Sequence, residues 1–306
     1  MPYPVAPGAP NYSGTFIPEI WSGKIIKNYY DATVLSQISQ TDYEGEIKNM
    51  GDKVIIRTTP TITTRRYNKG QNLTLSRPES TNVELLIDYG RYWATVLDDV
   101  DKVQSDIKQM DLWSKEAAET MKIDLDTDVL GDFYADAHAD NAGTTAGKRT
   151  QDIDLGATGS AVVLTKANII DKILEAGEAL DQQSAPEDGR YFLIPAWART
   201  LLMKSDLKNA SVTGDGQSVL RNGRLGEIDR FTIYSSNLLS TASDGGNTVT
   251  NMIFGHKSAL TYAMQLTNME TLRAESTFGT IMRGLMVCGW KVVKPEGLGH
   301  LYARKG

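Results

Sequence analysis

Two stretches of sequence decide the fold: Lys53-Val-Ile-Ile-Arg-Thr-Thr59 and Val83-Glu-Leu-Leu-Ile-Asp-Tyr89. The first is rich in β-branched residues. In the second, apolar residues recur at every other position, which indicates a strand with one buried face. We therefore predict a long β-hairpin over residues 51–97. A two-stranded hairpin is marginally stable alone in water, so we expect it to contact another copy of the chain.

The tip of this hairpin is Arg65-Arg66-Tyr67-Asn68-Lys69-Gly70, a polar and basic segment that offers almost nothing to a core. Three interpretations are open for Arg65, Arg66 and Lys69. They could touch phosphates, they could protect a hairpin edge against aggregation, or they could pair with carboxylates of a neighbouring copy. We favour the neighbouring copy and predict these three residues as intersubunit contacts.

Length and composition are those of a globular protein. The chain has 306 residues, of which 41% are hydrophobic and 23% charged, enough for one large domain or two smaller ones. The net charge of −6 argues against a dedicated nucleic-acid binder with a basic face.

The single cysteine, Cys288, excludes an internal disulfide and a cysteine-based zinc site. No stretch reaches the ~20 apolar residues of a membrane span, so we expect no membrane partner.

A long helix is predicted to follow the hairpin. From Asp99 the apolar residues recur at three- and four-residue steps, which is typical of an amphipathic helix, and Asp98 or Asp99 suits its N-cap. We expect the helix to end between Gly131 and Ala139, which makes it much longer than the average helix; a coiled coil is the less favoured alternative. Its apolar stripe consists of Val100, Val103, Ile107, Met110, Ala117, Met121 and Leu125.

The second half of the chain mixes helical and strand patterns, which indicates an α+β fold. The Gly- and Thr-rich stretch from Asp140 to Ser160 is predicted to be a mobile loop. Predicted helices cover residues 168–180, 196–204 and 257–265, and predicted strands cover residues 191–194, 231–234, 252–254, 285–288 and 290–293.

Asp124-Leu-Asp-Thr-Asp128 is the strongest acidic cluster. On a helix only Asp124 and Asp128 share a face, and two carboxylates make a poor metal cage. A solvated helix face is the favoured interpretation, and a metal-dependent hydrolase that uses Asp124 and Asp128 is kept as a distant rival. We otherwise expect no catalytic residue, no metal and no cofactor, and therefore no enzyme.

Four further stretches, taken in order, carry a family resemblance. They are Phe16-Ile-Pro-Glu-Ile-Trp with Gly51-Asp-Lys-Val; Leu97-Asp-Asp-Val-Asp with Gln104-Ser; Ala179-Leu-Asp-Gln-Gln with Pro186 and Arg190-Tyr-Phe-Leu-Ile-Pro; and Gly223-Arg-Leu-Gly-Glu-Ile-Asp-Arg-Phe-Thr-Ile-Tyr-Ser-Ser-Asn. In this order they resemble the major capsid proteins of tailed bacteriophages with the Hong Kong 97-type fold. In the last stretch, Arg230 stands where a glycine is common, which leaves the geometry of that turn open.

The resemblance implies an α+β, Hong Kong 97-like capsid fold in five parts. These are an N-terminal arm over residues 1–50, an extended β-hairpin loop over 51–97, a peripheral domain with a long spine helix over 98–164, a mixed α/β apical domain over 165–280, and C-terminal strands that return to the peripheral domain over 281–306.

The resemblance also implies a function. It points to a major capsid (coat) protein of a tailed double-stranded DNA bacteriophage, which self-assembles as hexamers and pentamers into an icosahedral shell around the genome without sequence-specific DNA binding. A separate scaffolding protein and a portal are the expected partners, with a decoration protein left open, and assembly is expected in the host cytoplasm. An encapsulin-like nanocompartment shell shares the fold and is the first rival. Lys69 lies in the kind of loop through which some relatives crosslink, but no partner is assigned to it.

Overall fold

A computed structural model of the chain describes residues 33–42, 53–60, 62–80, 82–99, 109–205, 227–274 and 278–306. This part contains the α-helices α1 (Leu35–Ile38), α2 (Gln109–Asp132), α3 (Ile169–Gln182) and α4 (Ala196–Lys204). Its strands are β1 (Lys53–Arg57), β2 (Asn82–Leu86), β3 (Tyr89–Asp98), β4 (Val162–Leu164), β5 (Arg190–Ile194), β6 (Glu227–Ile228), β7 (Phe231–Ser235), β8 (Thr241–Asp244), β9 (Asn247–His256), β10 (Leu260–Arg273), β11 (Gly279–Val292) and β12 (Leu298–Lys305). The mixed helix and strand content predicted from the sequence is confirmed.

The first sheet is the base of the predicted hairpin. β1 and β2 pair antiparallel, with Lys53 opposite Leu86. Leu85 and Ile87 are buried while the residues on either side of each are exposed, so the period of two read from the sequence is confirmed. Of the N-terminal arm expected over residues 1–50, the structure describes residues 33–42.

The second sheet has three strands in the order β10-β11-β3. β3 continues from the hairpin and pairs with β11, so that Tyr89 lies opposite Cys288. The expectation of a helix over residues 257–265 is wrong: Lys257–Ala259 form a short 3₁₀ turn, and β10 begins at Leu260. The long antiparallel pairing of β10 with β11 satisfies backbone groups that a helix would have satisfied internally, and so overrides the local pattern.

The third sheet is mixed and contains seven strands. Its order is β4-β12-β9-β5-β7-β6, with β8 beside β9. β5 is buried along its whole length, because Phe192 packs in a cluster with α3 and α4 while Tyr191 and Leu193 pack in a second cluster on the other face. The helices and strands predicted between residues 168 and 254 are confirmed.

The second hydrophobic cluster joins α2 to both of the larger sheets. Leu125, Val129 and Leu130 of α2 pack there with side chains of β5, β10 and β11. In contrast, no side chain from residue 112 to residue 124 of α2 is buried. The helix ends at Asp132, within the predicted range, and its predicted first turns lie outside the described residues.

Residues 140–160 form a loop, as predicted, but one that packs on the protein. Ala146, Ile153 and Leu155 are buried in the first hydrophobic cluster. Backbone hydrogen bonds tie Ala146 to Ile153 in both directions, at 2.8 and 3.1 Å. The expectation of a mobile loop is corrected accordingly, since apolar residues scattered among glycines and threonines supply contacts that the composition alone conceals.

Candidate assembly surface

Residues 62–80, between β1 and β2, form a loop in which every side chain is exposed. The apolar ones are large: Leu75 is 91% exposed and Leu73 is 77% exposed, and Ile62 and Tyr67 are also open to solvent. Full burial of one such side chain is worth roughly 1.5–3 kcal/mol. An exposed segment with this much apolar surface is characteristic of an interaction site.

Arg65, Arg66 and Lys69 all lie in this exposed loop. Gly70 beside them has φ of +86°, in the left-handed region that favours glycine, and so turns the chain back at the tip. Residues 62–80 carry four basic residues and one acidic residue. The loop is therefore positively charged in a protein whose net charge is −6.

A second exposed apolar surface lies on the three-stranded sheet. We call it the outer face, because it points away from α2. It is formed by cross-strand pairs, with Tyr92 opposite Leu285 and Val96 opposite Ile281. Tyr92 is 80% exposed and Val96 is 55% exposed. Apolar pairs of this kind stabilise sheets when covered, but in the single chain this part of the face is open.

The chain covers the other part of the outer face itself. Leu85 and Ile87, in and just after β2, pack with Val287 of β11. The carbonyl oxygen of Leu86 approaches Gly289 so closely that a Cβ there would lie 1.9 Å away, so this crossing requires glycine. The uncovered part holds a cavity of about 420 Å³ lined by Tyr92, Trp93, Ala94, Glu270, Arg283, Gly284 and Leu285.

Asp124 and Asp128, the pair considered as a metal site, bind an arginine. Arg91 of β3 faces α2, and its guanidinium donates to Asp124 Oδ2 at 2.7 Å and to Asp128 Oδ2 at 2.5 Å. The Tyr89 hydroxyl also donates to Asp128, and burial together with Asp128 raises the pKa of Tyr89 to about 12. One cation thus compensates both carboxylates and joins the helix to the strand.

Sequence analysis did not identify Arg91 or the outer face as parts of a site. A signal for the outer face is present in the sequence, since Tyr92, Ala94 and Val96 alternate at a period of two. No comparable signal exists for Arg91, because its partners lie 33 and 37 residues away. Within the described ranges, no three potential metal-ligating side chains come together, and none of the helices there is long and apolar enough to cross a membrane.

A basic, partly apolar loop and an open sheet face are typical of proteins that associate with other copies or partners. The phage capsid protein family matches residues 86–301, which is more than half of the chain. The chain therefore belongs to the phage capsid protein family. It is a structural coat protein of a bacteriophage virion, and it assembles with copies of itself into the capsid shell.

The fold agrees with that of solved structures. A chain from Mycobacterium phage Che8 is 26% identical, with a TM-score of 0.78 over 95% of this chain and 98% of that one. The capsid of cyanophage P-SCSP1u is 17% identical, with a TM-score of 0.71 over 95% and 94%. The mature capsid of bacteriophage PhiM1 is 15% identical, with a TM-score of 0.69 over 94% and 91%. Among curated proteins no sequence matches this chain.

Proposed function

We propose that the chain is the major capsid protein of a tailed double-stranded DNA bacteriophage, with a Hong Kong 97-type fold. Hexamers and pentamers of it close into an icosahedral shell that encloses the genome. The observation that carries this proposal is the loop of residues 62–80, whose large apolar and basic side chains are all exposed in the single chain. A shell built from repeated heterologous contacts would cover such a loop on every subunit.

The five parts expected from the resemblance are kept in this proposal. They are an N-terminal arm over residues 1–50, an extended loop over 51–97, a peripheral domain over 98–164, an apical domain over 165–280 and C-terminal strands over 281–306. In these terms, α2 is the spine helix of the peripheral domain.

The loop of one copy is proposed to lie on its neighbour, with Arg65, Arg66 and Lys69 as intersubunit contacts. Charge supports α2 as the receiving element: with Asp124 and Asp128 already paired to Arg91 and Asp126 buried, residues 109–132 still carry four further carboxylates against two lysines. Burial is compatible with this, since none of the side chains of residues 112–124 is fully buried in its own subunit. Covering the exposed leucines of the loop on the neighbour would add apolar burial that stabilises the contact.

The remaining partners follow from the shell. A separate scaffolding protein and a portal are proposed to guide assembly in the host cytoplasm, and a decoration protein could bind the finished surface. The net charge of −6 suits a shell that encloses DNA without binding it tightly, because strong binding to phosphates requires a basic surface.

Electron microscopy of the expressed protein, with and without its scaffolding protein, tests the proposal. Closed icosahedral particles with hexameric and pentameric capsomers are expected. A protein that stays monomeric under every condition would contradict it. An encapsulin-like compartment is distinguished by its contents and gene neighbours, since it would hold a cargo enzyme and lie apart from terminase and portal genes.

A further inference from the structure

Asp126 is a carboxylate in the otherwise apolar buried face of α2. The residue is only 3% exposed, and Leu125 and Val129 beside it belong to the second hydrophobic cluster. Its Oδ2 accepts hydrogen bonds from the backbone N–H groups of Val34 at 2.6 Å and Leu35 at 3.2 Å. A buried carboxylate without such partners would be very costly. Burial raises the pKa of Asp126, and these two hydrogen bonds oppose that change.

The same two hydrogen bonds satisfy the start of α1. This helix begins without a side-chain cap of its own, so its first N–H groups need an outside acceptor. The acceptor comes from a residue more than 90 positions later in the chain. Asp126 is therefore the attachment of this segment to α2.

The segment has a second attachment at its other end. The N–H of Gln40 donates to the carbonyl of Leu260 at 2.9 Å, and the N–H of Tyr262 donates to the carbonyl of Gln40 at 3.1 Å. Leu260 is the first residue of β10. At this point the chain passes from β9, in the seven-stranded sheet, through a 3₁₀ turn into the three-stranded sheet.

The middle of the segment is packed between these ends. Leu35 and Ile38 are buried in the cluster that contains side chains of α2 and of both larger sheets. The segment therefore touches the helix at one end, the joint between the sheets at the other, and the shared core in between.

We propose that residues 34–40 form a strap that fixes the joint between the two larger sheets, and that Asp126 is the latch that holds this strap closed. Because the two attachments lie at opposite ends of one short segment, the strap opens as a unit when the latch is removed. The latch thus couples α2 to the joint at Leu260. This device belongs to the single subunit and does not depend on the proposed shell geometry.

Hydrogen exchange of the full-length subunit, followed at single amides, tests the proposal. In Asp126→Ala the amides of Val34 and Leu35 should exchange about 10- to 100-fold faster, since their hydrogen bonds to the Asp126 carboxyl group are lost. The amide of Tyr262, at the far end of the strap, should accelerate with them. The amide of Ile153, which donates to Ala146 at 3.1 Å in the first hydrophobic cluster and not at the joint, should stay unchanged.

Two further variants sharpen the test. Asp126→Asn keeps one side-chain oxygen as an acceptor and should give a smaller acceleration than Asp126→Ala. Glu119→Gln, at an exposed carboxylate of α2 that pairs with Lys122, should change none of these amides. The proposal fails if Tyr262 keeps its wild-type rate while Val34 and Leu35 accelerate, because the strap is then not one unit. It fails equally if Ile153 accelerates as much as Tyr262, which would indicate a general loss of stability.

Discussion

Arg91 of β3 and Asp124 of α2 lie 2.7 Å apart, and the same guanidinium reaches Asp128 one helical turn further on at 2.5 Å. This contact holds the long helix against the three-stranded sheet. It also explains the acidic cluster that the sequence offered as a metal site, since both carboxylates already face a fixed cation. Their role in the subunit is structural, which agrees with a coat protein.

Removing Arg91 should loosen the contact between helix and sheet. Arg91→Ala leaves two partly exposed carboxylates without their cation, and we expect a loss of roughly 1–2 kcal/mol in the free energy of unfolding. Urea denaturation of the subunit measures this loss. Adding Asp124→Asn and Asp128→Asn should recover part of it, because the repulsion between the unpaired charges disappears.

The matched control for this prediction is Glu119→Gln. Its exposed pair with Lys122 lies on the same helix and should contribute less than about 0.5 kcal/mol. An Arg91→Ala subunit as stable as the wild type would contradict the structural role. A hydrolytic activity lost in Asp124→Asn and Asp128→Asn would revive the rival interpretation as an enzyme.

Ion pairs of the Arg230 side chain should compensate the cost of the unfavourable backbone conformation at this residue. Its φ of +68° is unfavourable for a residue with a side chain, while its guanidinium pairs with Asp181 at 2.8 Å and Glu187 at 2.9 Å. The turn thus keeps the left-handed geometry of a glycine position. Arg230→Ala loses the ion pairs and keeps the strain, whereas Arg230→Gly loses both, so the Ala variant should be about 1 kcal/mol less stable.

Urea denaturation of the two variants side by side checks this order. Because the pair differs by one methyl group, the comparison isolates the backbone contribution from the ion pairs. An alanine variant as stable as the glycine variant would show that the backbone at residue 230 is not strained.

His300 should make the subunit sensitive to acid. Burial lowers its pKa to about 4, while its Nε2 lies 2.9 Å from Asn251 Oδ1. The unfolded chain, with a histidine pKa of about 6.5, therefore binds the proton first as the pH falls, so stability decreases from about pH 6.5 towards pH 4. This one group should remove about 2 kcal/mol between pH 7 and pH 5.

His300→Gln is the matched variant for that prediction. Glutamine does not titrate and can still donate to Asn251. Unfolding free energies measured at pH 7 and pH 5 should differ by about 2 kcal/mol less in His300→Gln than in the wild type. Equal losses in both proteins would show that His300 does not control this pH range.

Helices and strands were predictable where the local hydrophobic pattern agrees with the tertiary contacts. The alternation from Val83 to Ile87 predicted the buried face of the hairpin, and the run at Tyr191 predicted a strand, which the structure places inside the seven-stranded sheet. The helix expected over residues 257–265 failed because pairing between β10 and β11 outweighs local spacing. Thr261 and Tyr262, β-branched and aromatic, were the signal for a strand.

Of the candidate assembly surface, only the part formed by neighbouring residues in the sequence was predictable. The basic tip at Arg65 and Arg66 is a local feature and could be identified from residue type alone. The salt bridge of Arg91 and the latch at Asp126 arise from chain segments far apart in sequence. Only the fold brings those groups together, so no local pattern could reveal them.

Reversing the charge of the loop should impair assembly but not folding. The triple variant Arg65→Glu, Arg66→Glu and Lys69→Glu places acidic groups where we propose contact with the carboxylates of a neighbour. Light scattering should show little or no assembly at low salt, because like charges at an interface are repulsive. The unfolding free energy of the subunit should change by less than about 0.5 kcal/mol, since these side chains are exposed.

A control with the same change in net charge separates contact from general repulsion. Lys148→Glu, Lys166→Glu and Lys305→Glu replace three exposed lysines outside the loop. Assembly should be affected much less than by the loop variant. Equal inhibition by both triple variants would show that total charge, and not the loop contact, limits assembly.

The central claim is that the loop of residues 62–80 joins one subunit to the next. Deleting residues 64–70 tests it most directly, with particles counted by electron microscopy and the second half of the chain followed by hydrogen exchange. We predict that residues 140–205 keep their wild-type exchange while closed shells disappear. Normal shells from the shortened protein would contradict the claim.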